Sequence, residues 1–162
     1  MVRNLGELGI NLQKIVSRLL ENQSLLKLLY YTDKDPASHE NLTATQIQNQ
    51  VYEKLIKVIP RVGPVETANS LISLRVVRGT ANSQNGEFQD LVIQIEVFVP
   101  MTQWFIKDSN LRPFAIMGEI QKSLNRKIIN GLGRLEGGDF SLNFLTDEFS
   151  CYELTFYLTD YE

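Results

Sequence analysis

Residues 88–100, FQDLVIQIEVFVP, alternate Leu91, Ile93, Ile95, Val97 and Val99 with Val92, Gln94, Glu96 and Phe98. A period of two places these sets on opposite sides of a β-strand. The all-aliphatic side needs a layer over it, while Gln94 and Glu96 mark the other side as the wetter one. A chain with this segment builds a sheet that is covered on at least one face.

The covering layer is legible on both flanks. From Ile10 to Tyr31 the apolar positions Leu12, Ile15, Val16, Leu19, Leu20, Leu26 and Leu29 recur mostly at three- and four-residue steps, the spacing of one helix face. ENQS at 21–24 bends or splits that helix, Pro36 forbids its continuation, and Asp33 and Asp35 are good turn formers. A second helix is expected from Ala44 to Leu55, with Thr43 as N-cap and Ile47, Val51 and Leu55 on one stripe. A third follows Pro113, carrying Ile116, Ile120, Leu124 and Ile128 at four-residue steps and ending at Gly131, a natural left-handed cap.

Strands are expected at SLISLRVVR (70–78), at 88–100, at FSLNF (140–144) and at CYELTFYL (151–158). In the last of these Tyr152, Leu154, Phe156 and Leu158 face one way, and Glu153 and Thr155 the other. IPRVGP (59–64) enforces an irregular connection. GTANSQNGE (79–87) reads as a long, mobile hairpin tip, too polar for a core. The resulting order is α-α-β-β-α-β-β. It describes an α+β fold, a mostly antiparallel sheet of about four strands with helices packed on one face. A length of 162 residues suits one domain over 1–162.

Composition narrows the function. With 16 Lys and Arg against 19 Asp and Glu, the formal charge is −3, and no basic stripe is present for tight DNA binding. Cys151 is the single cysteine, so an intramolecular disulfide is impossible and a buried inert thiol is expected. MVRNLGELGINLQ lacks the apolar segment of a signal peptide, and nowhere do 18 apolar residues run together, so a cytoplasmic protein with no membrane contact is expected.

Catalytic constellations are thin. The one histidine, His39, lies in the loop DPASHEN, where a triad with Ser38 and Asp35 would draw all its members from one short loop; a solvated histidine is the expectation. NGLGRLEGG follows a helix instead of opening one, which suits a cap and a turn and not a phosphate cradle. Asp90 and Glu96 share a strand face, but no lysine follows at nuclease-like spacing. No enzyme activity, metal or cofactor is expected. Trp104, with Phe105, Arg112 and Phe114 close in sequence, either plugs the sheet end against the third helix or anchors a subunit interface.

Three segments together resemble a family: LLKLLYYTDKDPAS (25–38), the Trp104 and LRPFAIMGEIQKSLN (111–125) approach to the third helix, and INGLGRLE (129–136). They are similar to small head–tail connection proteins of tailed bacteriophages, described as tail terminator, tail completion or neck proteins. The resemblance touches most of the chain outside 79–87, and the segment after Glu136 is not closely matched. It implies a virion protein, assembled in the host cytoplasm, that closes into a homo-oligomeric ring, typically of six. Such a ring caps the tail tube at its head-proximal end. Its implied partners are further copies of itself, the tail tube and sheath, and the neck or head connector, with genome DNA only passing through the lumen. Candidate contacts of such a ring are Tyr30, Tyr31, Arg78, Asn82, Gln84, Asn85, Trp104 and Arg112. The alternatives are another tail or baseplate structural protein, or a small adaptor that takes an extended peptide at a sheet edge.

Overall fold

The computed structural model describes residues 5–58, 69–84 and 88–159. The amphipathic N-terminal stretch forms two helices, α1 (Leu5–Leu20) and α2 (Gln23–Tyr30). The split falls where the sequence places it, and Asn22 explains it. Its Oδ1 accepts from the Leu25 amide at 3.0 Å as the N-cap of α2. Its Nδ2 donates across to Glu119 and to the Ser123 hydroxyl, tying the break to a later helix. On α1 the side chains of Leu12, Ile15, Val16 and Leu19 are buried, and on α2 those of Leu25, Leu26, Leu28 and Leu29. Each such aliphatic side chain contributes roughly 1.5–3 kcal/mol by leaving water.

The second expected helix is much shorter than its stripe. α3 (Ala44–Gln46) has the expected Thr43 cap, with Gln46 reciprocating in a capping box. The turn then widens to π-helical geometry over Ile47–Val51 and stops at extended Tyr52. Residues 53–55 form a turn, with the Leu55 amide donating to the Val51 carbonyl, and β1 (Ile56–Val58) follows directly. Pairing of β1 with the next strand takes the chain out of the helix that its spacing favours.

The remaining strands are β2 (Leu71–Ala81), β3 (Phe88–Pro100), β4 (Phe105–Ile106), β5 (Asn110–Leu111), β6 (Ile128–Ile129), β7 (Gly133–Leu145) and β8 (Phe149–Thr159). The fold is mixed α+β, but the main sheet has six strands and not about four, in the order β1-β2-β3-β8-β7-β6; β4 and β5 form a separate ribbon. The two extra strands are β1 and β6, two or three residues long and too short to show a period of two. Among the described residues β1–β2 is the one parallel strand pair, beside an isolated parallel bridge between Tyr52 and Ile56.

β2 and β7 are longer than expected. Residues 79–81 continue β2, so the described part of the hairpin tip starts at Asn82, and Asn85 lies outside the described residues. The third expected helix, α4 (Arg112–Leu124), is shorter. Asn125 is extended and Arg126 takes φ +60°, after which Ile128 and Ile129 pair with Arg134 and Gly133. Ile128, the fourth residue of the helical step, is therefore an exposed strand residue. Gly131 is left-handed at φ +86°, as expected, but it turns β6 into β7 and does not end a helix. There Asn11 of α1 donates to its carbonyl at 3.1 Å.

Helices α1, α2 and α4 cover one sheet face, where Ile72, Leu74, Ile93, Ile95, Val97, Leu154 and Phe156 are buried. The other face is wet at its margins, as at Arg78, Asp139 and Ser141, but not at its centre. Glu96 is 1% exposed, Phe98 2% and Cys151 0%. Arg75 on β2 reaches across to pair with Glu96 at 2.9 Å and Glu153 at 3.0 Å, and Asn143 donates to Glu96 at 3.2 Å. A long cation from the adjacent strand thus covers the glutamate, and the nuclease-like reading of Asp90 and Glu96 loses its second carboxylate to an ion pair.

β7 bends at Gly137 and Gly138, which take φ +116° and +99°. A Cβ on Gly137 would stand 3.0 Å from the Thr155 carbonyl, a backbone atom that cannot give way. Gly137→Ala is expected to destabilise the protein by about 1–3 kcal/mol, combining a disfavoured φ with that contact. A chemical-denaturation midpoint equal to that of the unsubstituted protein would refute this.

Candidate functional site

The end of α2 answers why a run of leucines stops at Asp33-Lys34-Asp35-Pro36. A helix leaves its last carbonyls without intrahelical donors. The Tyr31 amide satisfies Lys27, and Asn69 Nδ2 donates to Leu29 and Tyr30 at 3.3 and 3.0 Å. Arg112, at the start of α4, supplies the rest. Its guanidinium donates to the carbonyls of Leu28 at 2.6 Å, Tyr31 at 2.9 Å and Asp33, and its Nε to Gln103 at 2.9 Å. Arg112 is 0% exposed. It is therefore not a contact of a ring surface, as the sequence suggests, but an internal clamp. Its cation sits where the partial negative charge of the helix end favours it. Burial pulls its pKa below the ordinary value, and the charge of Asp33 acts in the opposite sense.

The turn beyond is built on Asp33. One carboxylate oxygen accepts the Asp35 amide at 2.9 Å, and the other meets His39 Nε2. The His39 ring stacks on Tyr31 with centroids 3.9 Å apart, and the Tyr31 hydroxyl donates to the Glu40 carbonyl at 3.2 Å. His39 is thus partnered, while its side chain stays 37% exposed as expected of a loop histidine. The triad geometry is absent at this loop, since Ser38 Oγ donates to the Asp35 main chain. The hydrogen bond to His39, chiefly, holds the Asp33 carboxyl below its usual range, with smaller help from the Asp35 amide and the charges of His39 and Arg112, against desolvation. A carboxyl depressed in the folded state adds stability that is present above its unfolded value, about 3.9, and is lost as pH falls through the lower folded value. Asp33→Asn is therefore expected to lower stability at neutral pH and to flatten its decline below about pH 4, followed by urea midpoints across that range. An unchanged acid limb would remove the turn from the causes of acid sensitivity.

An open cleft of about 680 Å³ lies beside this turn, between residues 34–38 and the β4–β5 ribbon. Lys107 bridges its two walls, pairing with Asp35 at 3.2 Å through the side chain and with the Lys34 carbonyl at 2.7 Å through the main chain.

The exposed apolar surface is elsewhere. On the helix-covered face, Phe140 and Leu142 of β7 are 59% and 50% exposed, and Phe114 of α4 is 40% exposed. Phe114, Phe140 and Tyr152 form a mutual cluster with centroids 5.3 to 6.3 Å apart, and Trp104 joins it through Tyr152 at 6.4 Å. Trp104 is half-buried and packs on the core, so it supports the patch from beneath. Beside the patch runs the margin of β7, which among the described residues pairs with β6 only at Gly133 and Arg134. Apolar side chains next to a strand margin of this length form a natural docking surface.

Of the expected contact residues, Tyr30 and Tyr31 are half-buried with rings edge-on at 5.0 Å, covering the end of α2. Arg78 and Gln84 are exposed, and Asn82 is half-buried and caps its own turn by accepting the Gln84 amide at 2.8 Å. These residues lie apart from the Phe114–Phe140 cluster. Sequence reasoning missed Phe140, Leu142 and Tyr152 as a surface because strand alternation marks them as inward-facing; α4 ends its cover at Phe114.

A family model described as YomW matches residues 22–158. The chain belongs to the YomW family. Membership of the YomW family is consistent with a phage-derived protein. The match takes in the Arg112 clamp, the whole six-stranded sheet up to Leu158 and the aromatic patch. No curated protein sequence matches the chain.

Proposed function

We propose that this chain is a structural protein of a phage virion, closing into a ring at the head-proximal end of the tail, where it caps the tube and meets the neck or head connector. The observation that carries the reading is the solvent-facing cluster of Phe114, Phe140 and Leu142 beside the open margin of β7. Monomers rarely keep such a surface in water, and assembly subunits use one to find neighbours. The phage association of the family and the likeness of residues 25–38, 104–125 and 129–136 to head–tail connection proteins give the surface its setting. The net charge of −3 suits a conduit for DNA, since a phosphate-binding lining would retard passage. In this role the protein acts without catalysis or cofactor, within the virion.

The test is to add purified protein to tail tubes of the encoding phage and image the mixture by negative stain. Density at one tube end, with arrest of further elongation, is the expected result. Density along the tube wall or at the distal tip would instead favour another tail or baseplate role. The same β7 margin also fits an adaptor that takes up an extended peptide as an added strand. A strictly monomeric protein that ignores tubes and binds a linear peptide saturably would favour that reading.

A further inference from the structure

The sheet has two margins, and they complement each other. At one, β1 pairs with β2 only at Ile72, Ser73 and Leu74, so among the described residues Arg75–Ala81 has no strand beside it. At the other, the Leu135 main chain is held by Arg126 and Lys127 and the Gly138 carbonyl by Gln121. The open length of β7 therefore begins at Asp139 and runs through Phe140, Ser141 and Leu142, all exposed.

Direction comes first. The four long strands β2, β3, β8 and β7 alternate, each antiparallel to the next. Their number is even, so β2 and β7 run oppositely. If a second copy is set beside the first in the same orientation, β7 of one meets β2 of the next antiparallel, the more stable ladder.

Sidedness comes second. Asp139 pairs with Thr155, Thr155 with Gln94, and Gln94 with Arg75, so Asp139 and Arg75 lie in one row on one side of the sheet. Arg78, opposite Val92 after the bulge, lies on that same side. Phe140 and Leu142 share the opposite side with Val76, through Leu154 and Ile95 and through Tyr152 and Val97. With the extra residue of the β2 bulge, Val77, set together with Val76 against Phe140, a continued sheet places Arg78 against Asp139 and Arg75 against Ser141, polar with polar and apolar with apolar.

Charge comes third. Arg75–Ala81 carries two arginines and no acid, whereas the open length Asp139–Leu142 carries one acid, Asp139, and no base. A two-fold pairing of β7 with β7 would bring the two copies of Asp139 together with no base between them, and one of β2 with β2 would bring arginines together. Only the mixed pair is complementary.

We propose that copies of this chain join head to tail by strand addition, the Asp139–Leu142 margin of β7 in one copy pairing antiparallel with the Arg75–Ala81 margin of β2 in the next, Arg78 set against Asp139. The join covers Val77, Phe140 and Leu142, which are otherwise 50% or more exposed. It deepens the ring reading above, on which it rests for its setting, because a heterologous contact closes into a ring when its rotation permits.

The test is a charge swap with a cross-link. Arg78→Asp and Asp139→Arg are each expected to raise the concentration for assembly by roughly tenfold, read by light scattering, with circular dichroism unchanged. The double swap restores it to within about threefold of the unsubstituted protein. Separately prepared Val77→Cys and Phe140→Cys proteins should form a disulfide-linked pair on mixing, and neither should do so alone; Cys151 is buried and does not compete. Phe140→Cys that cross-links to itself, single swaps that assemble normally, a double swap that fails to recover, or an unsubstituted protein that stays monomeric and yields no mixed pair would each overturn the join. Rings that form regardless of the swaps would discard this join and leave the ring reading standing. Cross-linked assemblies that ignore tube ends would keep the join and discard the capping role.

Discussion

Replacing Arg112 by Leu is expected to lower stability by about 4 kcal/mol or more, enough to remove most of the margin of a domain that starts with 5–15 kcal/mol. The guanidinium serves four main-chain carbonyls, those of Leu28, Tyr31, Asp33 and Gln103, from a position closed to water. A leucine fills part of the volume but donates nothing. The buried Leu28 and Gln103 carbonyls, left dry and unpaired, cost about 1–3 kcal/mol each, and the part-buried Tyr31 and Asp33 carbonyls less. Arg112→Lys should recover only part of the loss, because one ammonium cannot reproduce the planar fork that reaches both the helix end and Gln103. Urea denaturation of the three proteins measures this. A loss under about 1 kcal/mol for Arg112→Leu would mean that water enters the site and the clamp is dispensable.

Leu28→Asp is expected to leave no cooperatively folded protein at all. The side chain is 9% exposed and belongs to the central apolar cluster beneath α2. The substitution removes about 2 kcal/mol of burial and places a carboxylate among leucines, which costs several kcal/mol more whether it stays charged or takes up a proton. Lys34→Ala, six residues on, should change stability by less than about 0.5 kcal/mol. Its side chain is exposed, and its structural role, accepting the Lys107 amide, belongs to the main chain. Far-ultraviolet circular dichroism with a urea titration separates the two. A well-folded Leu28→Asp protein would show that α2 does not face the core.

The two outcomes correspond to what was legible in the sequence and what was not. Leu25 to Leu29 declare a buried helix by spacing, Asn22 and Pro36 mark its limits, and the alternation of 88–100 marks the centre of the sheet; local propensity and tertiary need agree at these places. The misses occur where they disagree. Ile47, Val51 and Leu55 keep helical spacing, yet β1 takes the chain from Ile56. Ile128 keeps the step of α4, yet pairing with β7 claims its backbone. Glu96 is polar by type and buried by virtue of Arg75, a partner on another strand that no local pattern can show. The docking surface was hidden for the converse reason. Phe140 and Leu142 carry an inward-facing signature, and their exposure follows from where α4 begins, its first turn reaching no further than Phe114. Arg112 could have been suspected, since an arginine just before a helix-opening proline faces back along the chain, but its acceptors on α2 are distant in sequence.

The sheet consists of two hairpins, β2–β3 and β7–β8, whose strands are neighbours in the chain, fused along β3 and β8. Each hairpin closes a short loop, but the fusion joins residues such as Val92 and Tyr157 with α4 threaded between them. By sequence separation, the two hairpins are expected to close faster than the β3–β8 seam. Arg112 and Gln103 lie inside the loop that this seam closes, whereas the acceptors Leu28, Tyr31 and Asp33 precede β3 and lie outside it. Seating the guanidinium is therefore a second long-range closure, distinct from the seam, that joins the N-terminal helices to the loop carrying α4.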